Sequence, residues 1–415
     1  MGDLLGQTIE LDVINIAHGG VAVARHEGRV VFVSDAIPGE RVLARVTNDA
    51  KKSFLRADTV SVIEPSEFRQ EHVWDAASLD RDPDERAGGA EFGHIQLAHQ
   101  RELKRRVLAE SLQRMAKIEP GTPATDATVE AVPGETPDGT GWRTRVRLHV
   151  DAEGTIGPYA ARSHRVIPVS SLPLATPELA GAAPLRESFR GEESVDILAP
   201  SSGGIRLVVG AQKPSVITEI VGTREFRLND TGFWQVHRGA AALLSDVVQS
   251  MIDPEIFDPS AANLDLYGGV GLLAAAVADR FGPGTRITSV ESDSAATDFA
   301  SDNLSEWVGA RAETARVERW MPRFAADASA TERSRLARST IVLDPPRSGA
   351  GREVVEAVAS VTPAQVIYVA CDPVAFARDV AYFAERGYTL DRLRAFDLFP
   401  HTHHLEAVGS LSRTH

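Results

Sequence analysis

Cysteine is almost missing from this chain: Cys371 is the single one in 415 residues. One thiol excludes an intramolecular disulfide and a cysteine-built metal site. Long apolar runs are missing too, and nothing approaches the ~18 consecutive apolar residues that a membrane helix needs. The first residues, MGDLLGQTIELDV, lack the basic and apolar regions of a secretory signal, so a cytoplasmic location is the default expectation. Basic residues are in deficit, with Lys plus Arg 44 against Asp plus Glu 58 and a net charge of −14. That balance argues against tight non-specific binding of nucleic acid. It leaves room for a local basic face on an acidic remainder. The chain is 43% hydrophobic and 25% charged, a globular composition, and its length suggests about two to four domains.

Residues 1–63 read as a small barrel. Segments 8–14, 21–24, 30–33, 41–46 and 57–62 are rich in β-branched residues, and Gly19-Gly20, Gly28 and Pro38-Gly39 punctuate them. Five short strands in this space suit a closed barrel of the OB type, a frequent nucleic-acid platform and equally a plain structural unit. Lys51, Lys52 and Arg56 cluster at its last turn. Residues 64–125 read as an acidic loop followed by a helix from His94. The helix carries Arg101, Lys104, Arg105 and Arg106, read here as a solvated face. Pro120 to Asp138 reads as a linker, and 126–225 as a mostly β middle region. From 226 to 415 strands and helices alternate, the signature of a doubly wound, Rossmann-like parallel sheet. The expected fold class is therefore α/β, preceded by a barrel and a β-rich segment.

The chemistry concentrates at predicted strand ends. In Leu264-Asp265-Leu266-Tyr267-Gly268-Gly269-Val270-Gly271-Leu272, a strand ends in a glycine turn that opens a helix. Gly269 and Gly271 allow a sharp turn and close approach of a nucleotide ligand. Glu291 ends the next strand, where a carboxylate can accept from ribose hydroxyls. Nicotinamide dinucleotides and S-adenosylmethionine both fit these features. Asp344-Pro345-Pro346 follows a third strand. An acid followed by two rigid prolines suits methyl transfer to planar nitrogen-containing rings and has no particular use in a nicotinamide enzyme. Cys371 follows a fourth strand, just before a helix. A lone cysteine is often a small buried hydrophobe. At this sheet edge, with a helix N-terminus to lower its pKa, Cys371 reads as a nucleophile. Three histidines in Phe399-Pro400-His401-Thr402-His403-His404-Leu405-Glu406 show no convincing metal-ligand spacing, so no metal is expected and they read as pocket or solvent-facing groups. Glu406 is the candidate base.

These segments, with Phe233-Trp234-Gln235-Val236-His237, resemble the S-adenosylmethionine-dependent RNA (uracil-5-)-methyltransferases that carry an N-terminal TRAM domain. The likeness spans nearly the whole chain. It implies tRNA or rRNA as substrate, S-adenosylmethionine as cofactor, Cys371 as nucleophile and Glu406 as proton acceptor. It also implies that Gln235, Tyr267, Gly269, Gly271, Leu272, Glu291 and Asp344 hold the cofactor, Gln235 and Asp344 also facing the uracil. Trp142-Arg143 and Ser163-His164 match middle-region motifs. A thiolate is wanted because C5 of uracil is a poor nucleophile; addition at C6 makes it enolate-like. A base must then take the C5 proton so that the cysteine can leave.

Four positions depart from that pattern. Ala87-Gly88-Gly89-Ala90 stands where many relatives have a CGGC segment ligating an iron–sulfur cluster, which implies a cluster-free branch whose loop is held by packing. Gly268 replaces a usual cysteine, and Leu272 a usual Asn at the cofactor. Asp372 replaces a usual Asn, and its charge should raise the Cys371 pKa. Two other readings stand beside this one: a catalytically weakened relative that binds RNA, and a nicotinamide oxidoreductase. Oligomeric state is not legible.

Overall fold

The structure, a computed structural model, describes residues 4–413. The outermost ends of the first and last expected segments, 1–3 and 414–415, lie outside the described residues. Strands β1 (Thr8–Ile16), β2 (Ala22–His26), β3 (Arg29–Ser34), β4 (Arg41–Asn48) and β5 (Phe54–Glu64) close a barrel in the order β1-β2-β3-β5-β4. Period-two alternation puts Leu11, Val13, Val31, Val33, Val42 and Leu55 inside, with Ala22, Ala24, Ala44 and Ala57 filling the narrow interior. β5 is longer than expected, beginning at Phe54. Gly19 and Gly20 turn between β1 and β2 at positive φ. A Cβ on Gly20 would lie 2.6 Å from His403 Cβ, so this turn is pressed against the C-terminal part of the chain.

Helix α1 (Leu97–Ser111) follows the acidic loop. Its basic cluster divides. Arg105 and Arg106 pair with Glu102 on the surface. Lys104 is fully buried instead, its ammonium on Asp397, which also accepts from Arg101 Nε at 3.2 Å. A solvated face was expected; tertiary packing decides otherwise. Hydrogen bonds and apolar packing hold the Ala87–Ala90 loop, with His72 Nε2 3.1 Å from Ala90 O. Ala87 N–H donates to Ala76 O (2.8 Å), Gly88 N–H to Tyr159 O (2.9 Å), and both alanines pack in an apolar cluster with Trp74 and Leu172.

Within the expected linker, β6 (Val129–Glu130) joins the C-terminal sheet. Next come β7 (Arg145–Val150), β8 (Ile156–Gly157), α2 (Pro177–Ala182), β9 (Ser194–Leu198) and β10 (Arg206–Val209), the strands ordered β10-β9-β7-β8. The hairpin β11 (Val216–Val221) and β12 (Arg224–Asn229) continues past residue 225.

The remaining chain runs α3 (Ala240–Met251), β13 (Asn263–Leu266), α4 (Leu272–Phe281), β14 (Ile287–Glu291), α5 (Ser294–Asn303), β15 (Ala310–Thr314), α6 (Val317–Asp327), α7 (Ala330–Leu336), β16 (Thr340–Leu343), α8 (Gly351–Ser360), β17 (Gln365–Ala370), α9 (Pro373–Ala384), β18 (Tyr388–Phe396) and β19 (Glu406–Arg413). Sheet order is β15-β14-β13-β16-β17-β19-β18-β6. The fold class is α/β, with the N-terminal barrel. β16 and β17 are buried along their whole length, as parallel strands covered on both faces must be. Ile341 and Leu343 face one helical layer, Val342 the other. Each such aliphatic side chain contributes about 1.5–3 kcal/mol by leaving water. No helix among the described residues is long and apolar enough to cross a membrane.

Two topological facts position the site. β13 pairs with both β14 and β16, so strand order reverses there and a crevice opens beyond their C-terminal ends. β19 runs antiparallel between β17 and β18, so it begins at the edge where the parallel strands end.

Candidate active site

The glycine turn is built around a buried acid. Asp265 Oδ2 accepts from Ala274 N–H and Ser289 Oγ, both at 3.2 Å, and burial raises its carboxyl to about 7. A Cβ on Gly268 would fall 2.0 Å from Ser289 Oγ and 2.7 Å from Asp265 Oδ2, so the small residue there lets the turn close on this pair. Gly269 (φ +53) and Gly271 (φ +89) take the left-handed conformation, Gly271 as N-cap of α4. Tyr267 shares positive φ and donates its hydroxyl to Glu318 Oε1 at 3.0 Å. Glu291 Oε2 accepts from Gly269 N–H (3.1 Å), and Oε1 from Ser292 and Asp293 N–H (2.6 and 2.8 Å). Oε1 is thus occupied by the chain that follows, whereas Oε2 accepts a single hydrogen bond.

A cavity of about 990 Å³ lies along these strand ends. Gln235, Tyr267, Gly269, Glu291, Asp344, Cys371 and Glu406 all line it. Leu272 does not: it is the first residue of α4, packed on the apolar cluster of α3 and α4, and borders a small side cavity with Phe233 and Gln235. Gly271 lines neither cavity and acts through backbone shape. The Asp-Pro-Pro loop is pinned from behind, since Arg378 donates to Ser348 O (2.8 Å) and Asp379 accepts from Ala350 N–H (2.8 Å) and Tyr368 Oη (2.6 Å).

Cys371 and Glu406 meet through sheet register. Ala370 pairs with Ala407, which puts the first residue of β19 beside the residue that follows β17. Glu406 is almost fully buried, its carboxyl has no hydrogen-bond partner among the described residues, and burial and Asp344 hold it well above the usual carboxylate range. Burial and Asp265 raise Asp344 to about 7. The thiol behaves opposite to the helix N-terminus expectation: burial, then Glu406, push Cys371 up to about 12. Asp372 also raises it, as expected, but ranks behind burial, Glu406 and Asp344. Arg347, on the exposed rim, opposes them.

The three histidines differ in kind. His401 is fully buried and structural, its Nε2 on Asp138 O (2.7 Å) and its backbone N–H on Gln100 Oε1 (2.8 Å). His404 lines the cleft, and burial lowers it to about 3. His403 Nδ1 contacts Glu91. The ligand-type atoms of Glu91, His403 and His404 lie within 4.8 Å of one another, a grouping that sequence spacing alone does not reveal because Glu91 arrives from a distant loop. Glu91 is already engaged by His403, which accounts for the cluster as an ion pair. Arg143 also lines the cleft, beside Trp142. His164 packs edge-on to Tyr159, and Ser163 borders a separate cavity of about 560 Å³ that shares Glu91 and Arg143 with the cleft. His404 is a pocket histidine, one of the two readings its sequence allowed, whereas Asp265 and Phe399 were missed as site residues; an acid inside an apolar strand is the signal that marked Asp265.

Residues 256–414 match the tRNA (Uracil-5-)-methyltransferase family, and residues 3–60 match the TRAM domain. The chain is 38% identical to a Streptomyces avermitilis protein named as an uncharacterized RNA methyltransferase, over 98% of both chains. It is 34% identical to a similarly named Corynebacterium diphtheriae protein, over 98% of this chain and 97% of that one. Among solved structures it is similar to the Pyrococcus abyssi tRNA (uracil-54, C5)-methyltransferase in complex with S-adenosyl-L-homocysteine. That likeness has a TM-score of 0.69 and 19% identity, and it covers 97% of this chain and all of the other.

Proposed function

Because the chain belongs to the tRNA (uracil-5-)-methyltransferase family of RNA methyltransferases, we propose that it methylates C5 of a uridine in tRNA or rRNA, with Cys371 as covalent nucleophile and Glu406 as base. The observation that carries the reading is one cleft lined by Cys371, Glu406, Asp344 and the glycine turn. The residues present fit S-adenosylmethionine. Gly269 leaves open space above the turn, Glu291 Oε2 accepts one hydrogen bond and has room for a second from a ribose hydroxyl, and Asp344 has no hydrogen-bond partner for its side chain among the described residues. Gln235, Tyr267, Gly269, Glu291 and Asp344 would hold it; Gly271 shapes the turn and Leu272 adds only apolar packing nearby. Bound there, it supplies an electrophilic methyl group.

The chain's own residues do the rest. The Cys371 thiolate forms a bond to C6 of the ring, and the C5–C6 electron pair moves toward the C4 carbonyl as an enolate. C5, made nucleophilic in this way, would accept the methyl group of the bound sulfonium, whose sulfur would keep the electron pair of the broken S–CH3 bond. Glu406 takes the C5 proton, the enolate re-forms the C5–C6 double bond, and the C6–S bond breaks to return the thiolate. Glu406 acts here in its ionised form, which burial makes the rarer one and, because the pKa is raised, the more strongly basic. The target base must leave its stack to reach Cys371. Arg143, largely buried, and Arg347, on the exposed rim, offer the cleft two cationic groups in a protein of net charge −14. The barrel is read as an RNA platform, the location as cytoplasmic and the Ala87–Ala90 branch as free of a cluster.

Cys371→Ala is expected to abolish methyl transfer. Glu406→Gln is expected to accumulate a covalent RNA adduct on a denaturing gel, because elimination needs the proton removed. Turnover by the first, or no adduct with the second, refutes these roles. The thiol pushed up to about 12 favours a second reading, an RNA binder that has lost catalysis. Tritium release from RNA carrying 5-tritiated uridine separates the two, since a pure binder releases none.

A further inference from the structure

Asp372, the residue after Cys371, makes two sets of contacts. Its Oδ1 caps α9, accepting from Val374 N–H (3.0 Å) and Ala375 N–H (2.8 Å). Its Oδ2 lies 3.2 Å from Nε2 of His18, which comes from the barrel turn between β1 and β2. That turn is seated as closely as backbone allows: Gly20 meets His403, and Ala17, His18 and Gly19 border a small cavity with Cys371, Asp372, Lys104 and His404. The half-exposed His18 therefore reaches Asp372 only because the barrel is docked. Four charged groups act on the thiol: Glu406, Asp344, Arg347 and Asp372. Burial holds the first two toward their neutral forms, whereas His18 and the two N–H groups keep Asp372 below the usual carboxylate range. Asp372 is thus the carboxylate beside the thiol that remains ionised throughout neutral pH, and an ionised neighbour opposes thiolate formation.

We propose that His18 is a positioning residue for the nucleophile: through its contact with Asp372, the docked barrel cancels a negative charge next to the Cys371 thiol. The inference rests on Cys371 being the nucleophile, as proposed above. It joins a barrel turn to a thiol that sequence keeps 353 positions away, so that the reactivity of the thiol depends on the seating of the barrel through one ion pair. It also gives Asp372 a compensating partner, where the residue alone would slow the reaction. The imidazole is raised above 6.5 by the same contact, so His18 carries its charge in mildly acidic solution and loses it as pH rises.

The test is the rate at which 4,4′-dithiodipyridine modifies the full-length protein without RNA; the single cysteine makes the signal unambiguous. At about pH 6, His18→Ala is expected to react about fivefold more slowly than wild type. At about pH 9, where the imidazole is neutral, the two rates are expected to agree. His18→Gln, which keeps a donor without the charge, is expected to behave like His18→Ala. In an Asp372→Asn background, His18→Ala is expected to change nothing at either pH. Equal rates at the lower pH overturn the proposal. So does an equal deficit at both pH values, which would indicate loosened structure, or a deficit that survives Asp372→Asn. Thiol modification needs no methyl transfer. Failure here therefore leaves the Cys371→Ala result standing, and an active Cys371→Ala enzyme would be a separate failure of the nucleophile assignment.

Discussion

Replacing Lys104 with methionine probes how the site is held in place. The Lys104 ammonium and the Asp397 carboxylate are both fully excluded from solvent, and Lys104 also donates to Phe399 O at 3.1 Å. Methionine keeps most of the apolar stem and removes the charge. Breaking a buried pair from one side costs about 3–5 kcal/mol, because the remaining charge loses its partner. Asp397 keeps Arg101 Nε at 3.2 Å, and Phe399 O keeps Thr402 Oγ1 at 2.8 Å, so the lower end, ~3 kcal/mol, is expected. The loss should be felt at α1 and at residues 397–402, the segment that leads into His404 and Glu406. Hydrogen exchange of α1 amides reads this local free energy without assuming that the whole chain unfolds in one step. A change of ~3 kcal/mol corresponds to more than a hundredfold faster exchange. The double variant Lys104→Met/Asp397→Leu, with both charges gone, should recover to within ~1 kcal/mol of wild type. If the single variant costs less than ~1 kcal/mol, or the double variant is the worse of the two, the reasoning about this pair is wrong.

Gly271→Ala should cost about 1–2 kcal/mol in stability, since φ is +89 there and the new methyl would stand 3.1 Å from Leu304 Cγ; a denaturation midpoint equal to wild type would show that the turn adapts freely. Affinity for S-adenosylmethionine should fall about tenfold between about pH 8 and pH 6. The Asp344 carboxyl titrates near 7 and only its ionised form, present above that pH, attracts a sulfonium. Titration calorimetry should show S-adenosylhomocysteine binding to be flat over the same range and Asp344→Asn to flatten the methyl donor; a pH-independent wild type refutes the assignment.

Much of the catalytic sheet was legible because parallel strands buried on both faces spell themselves as short apolar runs such as 341–343 and 366–369, and because the acids and glycines that end them interrupt those runs. The barrel was legible through its β-branched segments and the glycine turns between them. β15, α6, α7, β18 and β19 were not: β15 buries none of its residues, α7 buries only Leu336, and α6 carries Pro322 inside it although Val317, Met321 and Ala325 recur at helical spacing. β6 was hidden in a proline-rich stretch and becomes a strand only because β18 offers it an edge. Arg101 and Lys104 looked like a solvated face because nothing local announces Asp397, nearly 300 residues further on.

The sequence by itself determined the local chemistry: a glycine turn that no bulkier backbone could make, carboxylates at strand ends, and one thiol before a helix. These follow from the conformational range of single residues and from the periods of helix and strand. Tertiary structure alone decided what surrounds that thiol. The antiparallel insertion of β19 brings Glu406 beside it, burial raises its pKa against the pull of the helix, and the docked barrel turn supplies His18 to Asp372. Solvation and charge at a buried atom are sums over everything packed around it, and those neighbours come from parts of the chain that only folding brings together.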